Sequence, residues 1–376
     1  MTTHSAENTL TSTPQTLIRS NRSLSAVRAA SMPPVDTREK VAALVALGRE
    51  LKRQDYTWIC PSAETHAMVN GRFANRRAHN LTDLFGWNRE GSLDMLARLL
   101  PAPLIVTLCN AGILQITDGD TARSRVRFSS VADTLLAHSA WPAREIDAVI
   151  VGPETQRFAA FIARELQGPS APVPTTTRPF TLVEVGCGSG AAGIHAARLM
   201  ASSAGAAPVR VLLTDRQPRA LRFAEVNARL ASLPHVECRH SDLLAAVSEP
   251  PMLVLANTPG LIDAQGRTHL NGGGVLGTGL ALRTVDECLD RLLPGGSLLM
   301  CALAPVVRGV DVLRRSVEAR MPQPGSARRA GLRYEVLDPD VLGSQLAHPA
   351  YVEVERLALV GLTVHLPVAD ASLSVR

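Results

Sequence analysis

The chain has 376 residues, of which 46% are hydrophobic and 19% charged, a balance typical of a folded protein with room for two domains. Its formal charge of +5, from 39 basic and 34 acidic residues, argues against a strongly basic nucleic-acid-binding domain. Six scattered cysteines without a Cys-x-x-Cys pair exclude a disulfide scaffold and predict reduced thiols and no metal site.

The N-terminal segment predicts neither export nor a membrane anchor. Residues 1–34 are polar, rich in Ser and Thr and interrupted by prolines, which indicates a flexible leader and not a signal peptide. The longest uncharged stretch, residues 99–117, contains too many prolines and polar residues to cross a bilayer. We therefore expect a cytoplasmic protein without a membrane span.

Residues 35–147 predict a small helical domain that ends in a hairpin. Asp36 is a plausible helix cap before an apolar run at helical spacing, and a second helix is predicted over residues 81–100. Two strands are predicted at residues 112–117 and 124–129, with a tight turn between them. Helices followed by a small hairpin are typical of a winged helix.

Three arginines would share one face of that hairpin, because alternate residues of a strand point to the same side: Arg123, Arg125 and Arg127. Such a face could contact phosphate. A solvated outer face is the favoured interpretation, since no lysine or aromatic residue accompanies the arginines. Nucleic acid is therefore a conceivable partner that the pattern does not support.

A Pro/Thr-rich connector at residues 171–179 precedes a change of pattern. From Phe180 onward, short apolar runs alternate with helical stretches, which predicts an α/β domain over residues 148–370. The expected core is a doubly wound, mostly parallel sheet of seven strands. The last two strands, which a long loop separates, are candidates for an antiparallel edge.

A glycine-rich loop follows the first strand of this domain. It reads Glu184-Val-Gly186-Cys-Gly188-Ser-Gly190 and leads directly into a helical stretch. Alternate glycines let the backbone turn tightly and approach a ligand, and the helix N-terminus faces the loop. Ordinary turns and dinucleotide-binding folds carry similar loops, but the spacing differs from G-x-G-x-x-G and an acidic residue precedes the first glycine.

Three further strand ends carry polar residues. Asp215 ends the second strand, where a carboxylate can accept both ribose hydroxyls of a nucleoside, and it can also cap the following helix. Asp242 follows the third strand and would accept a hydrogen bond from the exocyclic amine of adenine, with Leu243 packed on the ring. The fourth strand ends in Asn-Thr-Pro-Gly at residues 257–260.

This set resembles the class I S-adenosylmethionine-dependent methyltransferases over about residues 149–368. Within that superfamily the chain looks most similar to the HemK-like glutamine and N6-adenine methyltransferases. Their Asn-Pro-Pro-Tyr motif corresponds here to residues 257–260, and Gly-Pro-Glu-Thr at residues 152–155 resembles the Pro-Glu-Thr stretch that they carry before the cofactor loop.

The resemblance implies an in-line methyl transfer with S-adenosyl-L-methionine as cofactor. It implies cofactor-binding roles for one group of residues: Thr155, Glu184, Gly186, Gly188, Gly190, Asp215, Arg216, Asp242 and Leu243. It places the catalytic motif at Asn257, Thr258 and Pro259. In the family, the asparagine side chain and the next carbonyl accept hydrogen bonds from the attacking nitrogen, while the aromatic ring stacks on a planar acceptor.

Gly260 cannot supply that ring. A small metabolite is therefore as well supported as a protein or nucleic-acid group as the methyl acceptor. His240 and His269 are candidate bases, although an ordinary surface or capping role is favoured for both. Tyr334 and Tyr351 either line the acceptor pocket or pack in the core. Cys187, inside the loop, receives no nucleophilic role.

Two other functions stay open. One is a non-catalytic protein that senses the cofactor and binds DNA through its N-terminal domain, although an aromatic content of 3% leaves few rings to stack on bases. The other is an enzyme that transfers or cyclises the aminocarboxypropyl arm of the same cofactor. The sequence does not identify the acceptor or the oligomeric state.

Overall fold

The computed structural model describes residues 37–117, 119–168, 171–172, 180–202, 208–233, 235–323 and 329–368. The predicted leader, the cap at Asp36 and most of the Pro/Thr-rich connector lie outside these residues. No helix in the described ranges is long and apolar enough to cross a membrane.

The N-terminal part combines short helices with two small sheets. Its helices are α1 (Thr37–Arg53), α2 (Ala63–Asn70), α3 (Leu81–Phe85), α4 (Leu93–Leu99) and α5 (Ala102–Asn110). Its strands are β1 (Arg77–Ala78), β2 (Glu90–Ser92), β3 (Leu114–Thr117), β4 (Thr121–Ser124), β5 (Val126–Val131) and β6 (Thr134–Ser139). The first four strands form a sheet in the order β1-β2-β4-β3, and β5 and β6 form a separate antiparallel pair.

The predicted single helix over residues 81–100 is wrong. Helix α3 ends before Gly86, where a β-carbon would lie 2.7 Å from the Thr82 carbonyl oxygen. Asn88 then takes a left-handed conformation (φ 59°), which a continuing helix does not allow. Strand β2 intervenes before α4, which the Ser92 hydroxyl caps by accepting from the Met95 amide at 3.1 Å.

The predicted hairpin is shifted and its arginine face does not form. Strand β3 pairs with β4 from Thr117↔Thr121 to Leu114↔Ser124, so the second strand ends where the prediction had it begin. Arg125 is exposed between β4 and β5, whereas Arg127 is buried within β5 and Arg123 donates to the Trp141 carbonyl at 2.9 Å. The winged-helix prediction is not confirmed, because β4 belongs to a four-stranded sheet.

The rest of the chain alternates strands and helices, as predicted for an α/β protein. The helices are α6 (Pro153–Gln167), α7 (Ala191–Ala201), α8 (Pro218–Leu230), α9 (Gly279–Arg291) and α10 (Val312–Glu318). The strands are β7 (Phe180–Val185), β8 (Val209–Asp215), β9 (Val236–His240), β10 (Leu253–Asn257), β11 (Ser297–Val307), β12 (Val310–Asp311), β13 (Gly331–Asp338) and β14 (Arg356–His365).

These strands form one sheet in the order β13-β14-β11-β10-β7-β8-β9, with the two-residue β12 paired to β11. Strands β9, β8, β7, β10 and β11 are parallel. The sheet therefore has eight strands in the described residues, where seven were predicted. Helices α6 and α7 pack on one face of the sheet, and α9 and α10 pack on the other.

The last two strands form the antiparallel edge that was predicted, because β13 lies at the edge of the sheet and pairs antiparallel with β14. Strand β14 runs antiparallel to both of its neighbours, β11 and β13. Its apolar run from Leu357 to Leu362 is buried on both faces, whereas β13 alternates between exposed and half-buried residues. A strand buried on both faces reads as a continuous apolar run, and an edge strand does not.

Helix α8 joins the two parts of the protein. Its Ala224 and Ala228 belong to the core against the sheet, whereas Phe223 and Leu230 belong to the N-terminal core. Lys52 of α1 donates to the Leu230 carbonyl at the end of α8, at 2.6 Å. These contacts hold the N-terminal part against α8, the helix that connects β8 to β9.

Candidate active site

A cavity of about 1240 Å³ lies at the carboxyl ends of β7, β8 and β10. The strand order reverses between β7 and β10, and in open α/β sheets ligands bind at such a reversal. The cavity is lined by the glycine loop, the segments after β8, β9 and β10, the start of α6 and several residues of the N-terminal part. It is large enough for a nucleoside cofactor together with a second small molecule.

The glycine loop adopts a backbone that only glycine takes without strain. Gly186, Gly188 and Gly190 all have left-handed φ values, of 59°, 53° and 74°. Gly186 and Gly188 line the cavity, whereas Gly190 does not. A β-carbon on Gly190 would lie 2.8 Å from Leu213, so this glycine allows α7 to start directly against β8.

Glu184 attaches β7 to the start of α7. Its carboxyl group is buried and accepts hydrogen bonds from the backbone amides of Gly193, at 2.8 Å, and Ala192, at 3.3 Å. Burial raises the pKa of Glu184 to about 8. The residue also lines the cavity, so it both orders the loop and offers an acceptor to a ligand.

Asp215 lies at the carboxyl end of β8 and faces the loop. One carboxylate oxygen accepts from the Gly188 amide at 3.0 Å and the other from the Gln217 amide at 2.8 Å. Both oxygens keep a free lone pair for hydroxyl donors, because a carboxylate can accept about four hydrogen bonds. The predicted capping role is wrong, because Gln217 is the N-cap residue of α8 and Asp215 accepts only from the amide of that residue, before the first turn of the helix.

The remaining predicted cofactor residues lie around the same cavity. Asp242, half-exposed after β9, accepts from Arg283 of α9 at 3.1 Å, and the adjacent Leu243 is buried. Thr155 accepts from the Gly152 amide at 3.2 Å, which closes the first turn of α6. Arg216 is exposed at the cavity rim.

The end of β10 presents two polar groups without a partner. Among the described residues, none hydrogen-bonds the Asn257 side-chain amide, and the Thr258 hydroxyl is buried without a partner. The Thr258 amide donates to the Cys301 carbonyl at 3.0 Å, which fixes the turn. A β-carbon on Gly260 would lie 2.7 Å from the Leu303 β-carbon, so no aromatic ring fits at the family's tyrosine position.

The sequence also offered two histidines, two tyrosines and Cys187 as candidates. Of these five residues, His269 and Cys187 line the cavity. Burial lowers the pKa of His269, and its Nδ1 atom is buried without a partner. His240 is exposed at the end of β9 and is not part of the cavity wall. Burial and a nearby carboxylate raise the pKa of the Cys187 thiol well above its usual value, which agrees with the absence of a nucleophilic role.

The two tyrosines are structural and do not line the acceptor pocket. The Tyr351 hydroxyl is buried and accepts from the Ile262 amide at 2.7 Å. The Tyr334 hydroxyl donates to the Asp311 carboxylate at 2.8 Å, at the far side of the sheet edge. Neither residue lines the cavity.

The N-terminal part contributes residues to the cavity wall that were not predicted from the sequence. Arg127, His66 and Trp141 line one end of it. Trp141 is the tryptophan that lines the cavity, and its ring lies 4.8 Å from the His66 ring. Trp58 and Trp87 pack behind it, with their ring centres 5.6 Å apart. The confinement of every tryptophan to residues 58–141 was the signal available in the sequence.

Comparisons with known proteins give remote structural likenesses. No family model matches the sequence, and no curated protein does. Over 65% of its length the chain is similar to 57% of the tRNA m1G37 methyltransferase of Methanocaldococcus jannaschii, with 13% identity and a TM-score of 0.40. Over 68% it is similar to 62% of Trm5b from Pyrococcus abyssi, with 10% identity and a TM-score of 0.41.

A third likeness covers 68% of this chain and 76% of an S-adenosylmethionine-dependent methyltransferase from Agrobacterium tumefaciens, with 15% identity and a TM-score of 0.40. The chain thus spans less than two thirds of the length of the first two proteins. TM-scores this low establish neither a family nor an activity, so we base the function on the cavity of this chain.

Proposed function

We propose that the protein is an S-adenosyl-L-methionine-dependent methyltransferase of class I. The observation that carries this proposal is the placement of Asp215 and Asp242, at the ends of adjacent strands, beside one glycine loop and one cavity. Two hydrogen-bond acceptors at the ends of adjacent strands match a nucleoside. Its sugar hydroxyls and its adenine amine are hydrogen-bond donors.

The residues present fit this cofactor. Gly188, with φ 53°, leaves the loop backbone open toward the cavity, where a side chain would be strained. Asp215 would hold the ribose hydroxyls, Asp242 the adenine amine, and Leu243 would pack on the ring. Glu184 and Thr155 would face the amino-acid end. When bound, the cofactor supplies an electrophilic sulfonium methyl group.

The chain contributes position and desolvation to the transfer. The Asn257 side-chain oxygen and the Thr258 carbonyl would accept hydrogen bonds from the acceptor nitrogen and aim its lone pair. Holding two reactants in near-attack geometry lowers a barrier by up to about 7–11 kcal/mol, which exceeds what one general base gives. His269 lines the cavity, and burial lowers its pKa, which keeps the ring neutral and available as a hydrogen-bond acceptor for the acceptor nitrogen.

The HemK-like branch remains our finer assignment, with Asn-Thr-Pro-Gly as a divergent motif. Leu303 occupies the space beside Gly260, so the acceptor is not clamped by an aromatic ring. This favours a small metabolite over a flat base or peptide amide, and nitrogen stays the preferred atom. We also retain the cytoplasm as its location. The DNA-binding alternative has lost its main support, since the three arginines share no face.

The test is an analysis of the nucleoside product. The protein is incubated with S-adenosylmethionine and a metabolite extract, and the nucleosides and methylated products are identified by mass spectrometry. S-adenosylhomocysteine together with a product heavier by one methylene supports the proposal. Methylthioadenosine would show that the aminocarboxypropyl arm is transferred or cyclised. No turnover despite cofactor binding would favour a sensor.

A further inference from the structure

The end of the cavity formed by the N-terminal part contains a buried guanidinium group. Arg127 lines the cavity although only 1% of its surface is exposed. Its Nε donates to the Ser139 carbonyl at 3.0 Å and its Nη1 to the Cys60 sulfur at 3.4 Å. Among the described residues no acceptor contacts its Nη2, and no carboxylate forms an ion pair with it.

This positive charge is not compensated by the residues around it. Burial lowers the pKa of Arg127, but a guanidinium stays charged at neutral pH. Burial raises the pKa of Cys60 and of Tyr56, so both neighbours are neutral. Glu154 lines the same cavity and its charge acts on Cys60, but it forms no ion pair with Arg127 among the described residues. A buried charge without a partner is costly, and a bound anion would remove that cost.

A second unpaired donor lies beside Arg127. The Arg89 Nε donates to Asn70 Oδ1 at 2.9 Å, which turns the Asn70 Nδ2 toward His66 Nδ1 at 3.4 Å. His66 Nδ1 is therefore the acceptor, and the proton of the neutral ring lies on Nε2. Within the part of the chain that the structure describes, this buried Nε2 makes no hydrogen bond of normal geometry, and the Gly86 backbone contacts the ring. Burial and the Arg127 charge lower the pKa of His66 to about 4, so the ring is uncharged.

Aromatic rings flank both donors. The Arg127 Cζ lies 5.8 Å from the Trp141 ring centre and 6.0 Å from that of Trp58. The His66 ring lies 4.8 Å from the Trp141 ring. Of the two tryptophans only Trp141 lines the cavity, so a ligand at this point would meet two N–H donors at its polar end and the Trp141 ring beside its body.

We propose that this end of the cavity binds a carboxylate of the acceptor substrate, a small organic acid with a flat or apolar body. One guanidinium balances the single charge of a carboxylate, whereas a phosphate dianion would leave negative charge uncompensated between apolar rings. The identity of the ligand as the methyl acceptor rests on the proposed function. The anion site itself does not depend on that function.

Benzoate binding, followed by the emission of the three tryptophans, tests the site on the full chain. Benzamide is the neutral control ligand and phenyl phosphate tests the phosphate alternative. We expect a saturable change with benzoate and a loss of affinity of about 10- to 100-fold in Arg127→Met. Arg125→Met, which removes an exposed arginine of the same region, should bind benzoate as the wild type does.

Three outcomes would overturn the inference: no saturable benzoate binding, equal affinity in Arg127→Met, or tighter binding of benzamide or phenyl phosphate. Methionine has a similar volume and removes an unpaired charge, which offsets the lost hydrogen bond to the Ser139 carbonyl, so Arg127→Met should stay folded with a small change in melting temperature. Should it unfold, His66→Phe removes the second donor alone and should weaken benzoate severalfold, with unchanged affinity again contradicting the site.

Calorimetry with S-adenosylhomocysteine separates this inference from the proposed function. Benzoate binding in a protein that does not bind the nucleoside supports the anion site and contradicts the methyltransferase. Nucleoside binding without benzoate binding supports the methyltransferase and contradicts the anion site. Arg127→Met should bind S-adenosylhomocysteine as tightly as the wild type, because Arg127 belongs to the other end of the cavity.

Discussion

At the scale of single residues, the end of β10 differs from an ordinary strand end. The Thr258 hydroxyl is buried without a hydrogen bond, and no described residue bonds the Asn257 amide. Polar groups in this condition are rare in folded proteins because each costs about 1–3 kcal/mol when it is desolvated. Both groups face the cavity, where an acceptor would satisfy them.

Asn257→Ala should therefore lower kcat by about 100-fold while leaving the affinity for S-adenosylhomocysteine unchanged, since a small misplacement of the acceptor is costly. The turnover is measured with the acceptor identified in the product analysis, and the affinity by calorimetry. A variant with wild-type kcat, or one that loses the nucleoside instead, would show that Asn257 does not position the acceptor.

Glu184 gives a prediction about stability and pH. Burial raises its pKa from 4.5 to about 8, so the folded protein holds a proton that the unfolded chain releases between these pH values. The contribution of Glu184 to the free energy of unfolding therefore falls as the pH rises from about 4.5 to about 8. Glu184→Gln should lack this part of the pH dependence.

Urea unfolding of both proteins across this pH range measures the difference. All other titrating groups are shared, so the difference in slope belongs to residue 184. Parallel curves of the free energy of unfolding against pH would mean that the carboxyl group is ionised in the folded protein and that its two amide hydrogen bonds outweigh burial.

Residue identity at strand ends was predictable, because a polar side chain after an apolar strand marks the carboxyl edge of the sheet. Asp215 and Asn257 were predicted in this way, whereas Glu184, which lies inside β7, was predicted from the glycine-rich loop that follows it. Arg127 was placed on an exposed face, because local alternation does not reveal which strand pairs with which. In the structure almost every residue of β5 is buried, Arg127 among them, so the alternation of the strand does not mark an exposed face.

At the scale of elements, the segment that follows β10 packs on β11. Gly260 of this segment lies against Leu303 of β11. Gly260→Ala should destabilise the protein by about 1–3 kcal/mol, because its β-carbon would overlap the Leu303 side chain. The double variant Gly260→Ala with Leu303→Ala should lose less than the sum of the two single variants. Urea unfolding measures all three.

Additive losses would contradict the packing of these two residues. A matched control is Gly343→Ala, where an added β-carbon meets no atom within 4 Å and φ is not left-handed. This substitution should change the free energy of unfolding by less than about 0.5 kcal/mol.

Element types were predictable from periodicity, and the class of mixed helices and strands is confirmed. The prediction of one helix over residues 81–100 was wrong, although the apolar residues there have helical spacing. The chain turns at Asn88, whose left-handed φ is set by the fold and not by the local sequence. The continuous apolar run of β14 was visible in the sequence and indicates a strand that is buried on both faces. It does not identify the strands on either side.

At the scale of the whole molecule, Asn227 of α8 connects the N-terminal part to the glycine loop. Its side chain accepts from the Ala137 amide at 2.7 Å and donates to the Ala137 carbonyl at 3.0 Å and the Ser189 carbonyl at 2.8 Å. The residue is fully buried. Such a contact between distant segments has no signature in the local sequence.

Asn227→Ala should lower the free energy of unfolding by about 2–4 kcal/mol, because three buried backbone groups lose their partner. It should also weaken S-adenosylhomocysteine binding, since Ser189 belongs to the loop. Asn75→Ala, which removes one half-buried bond to the Val69 carbonyl, is the control and should cost about 1 kcal/mol without affecting binding. Equal losses in the two variants would contradict the coupling.

The most direct test of the whole account is a calorimetric titration of S-adenosylhomocysteine into the wild type, Asp215→Ala and Asp94→Ala. Asp94 is an exposed carboxylate on α4 that does not line the cavity, so its variant controls for the lost charge. We predict saturable binding by the wild type and Asp94→Ala, and an affinity about 10- to 100-fold lower in Asp215→Ala. No binding by the wild type, or the same affinity in all three proteins, would contradict the nucleoside site.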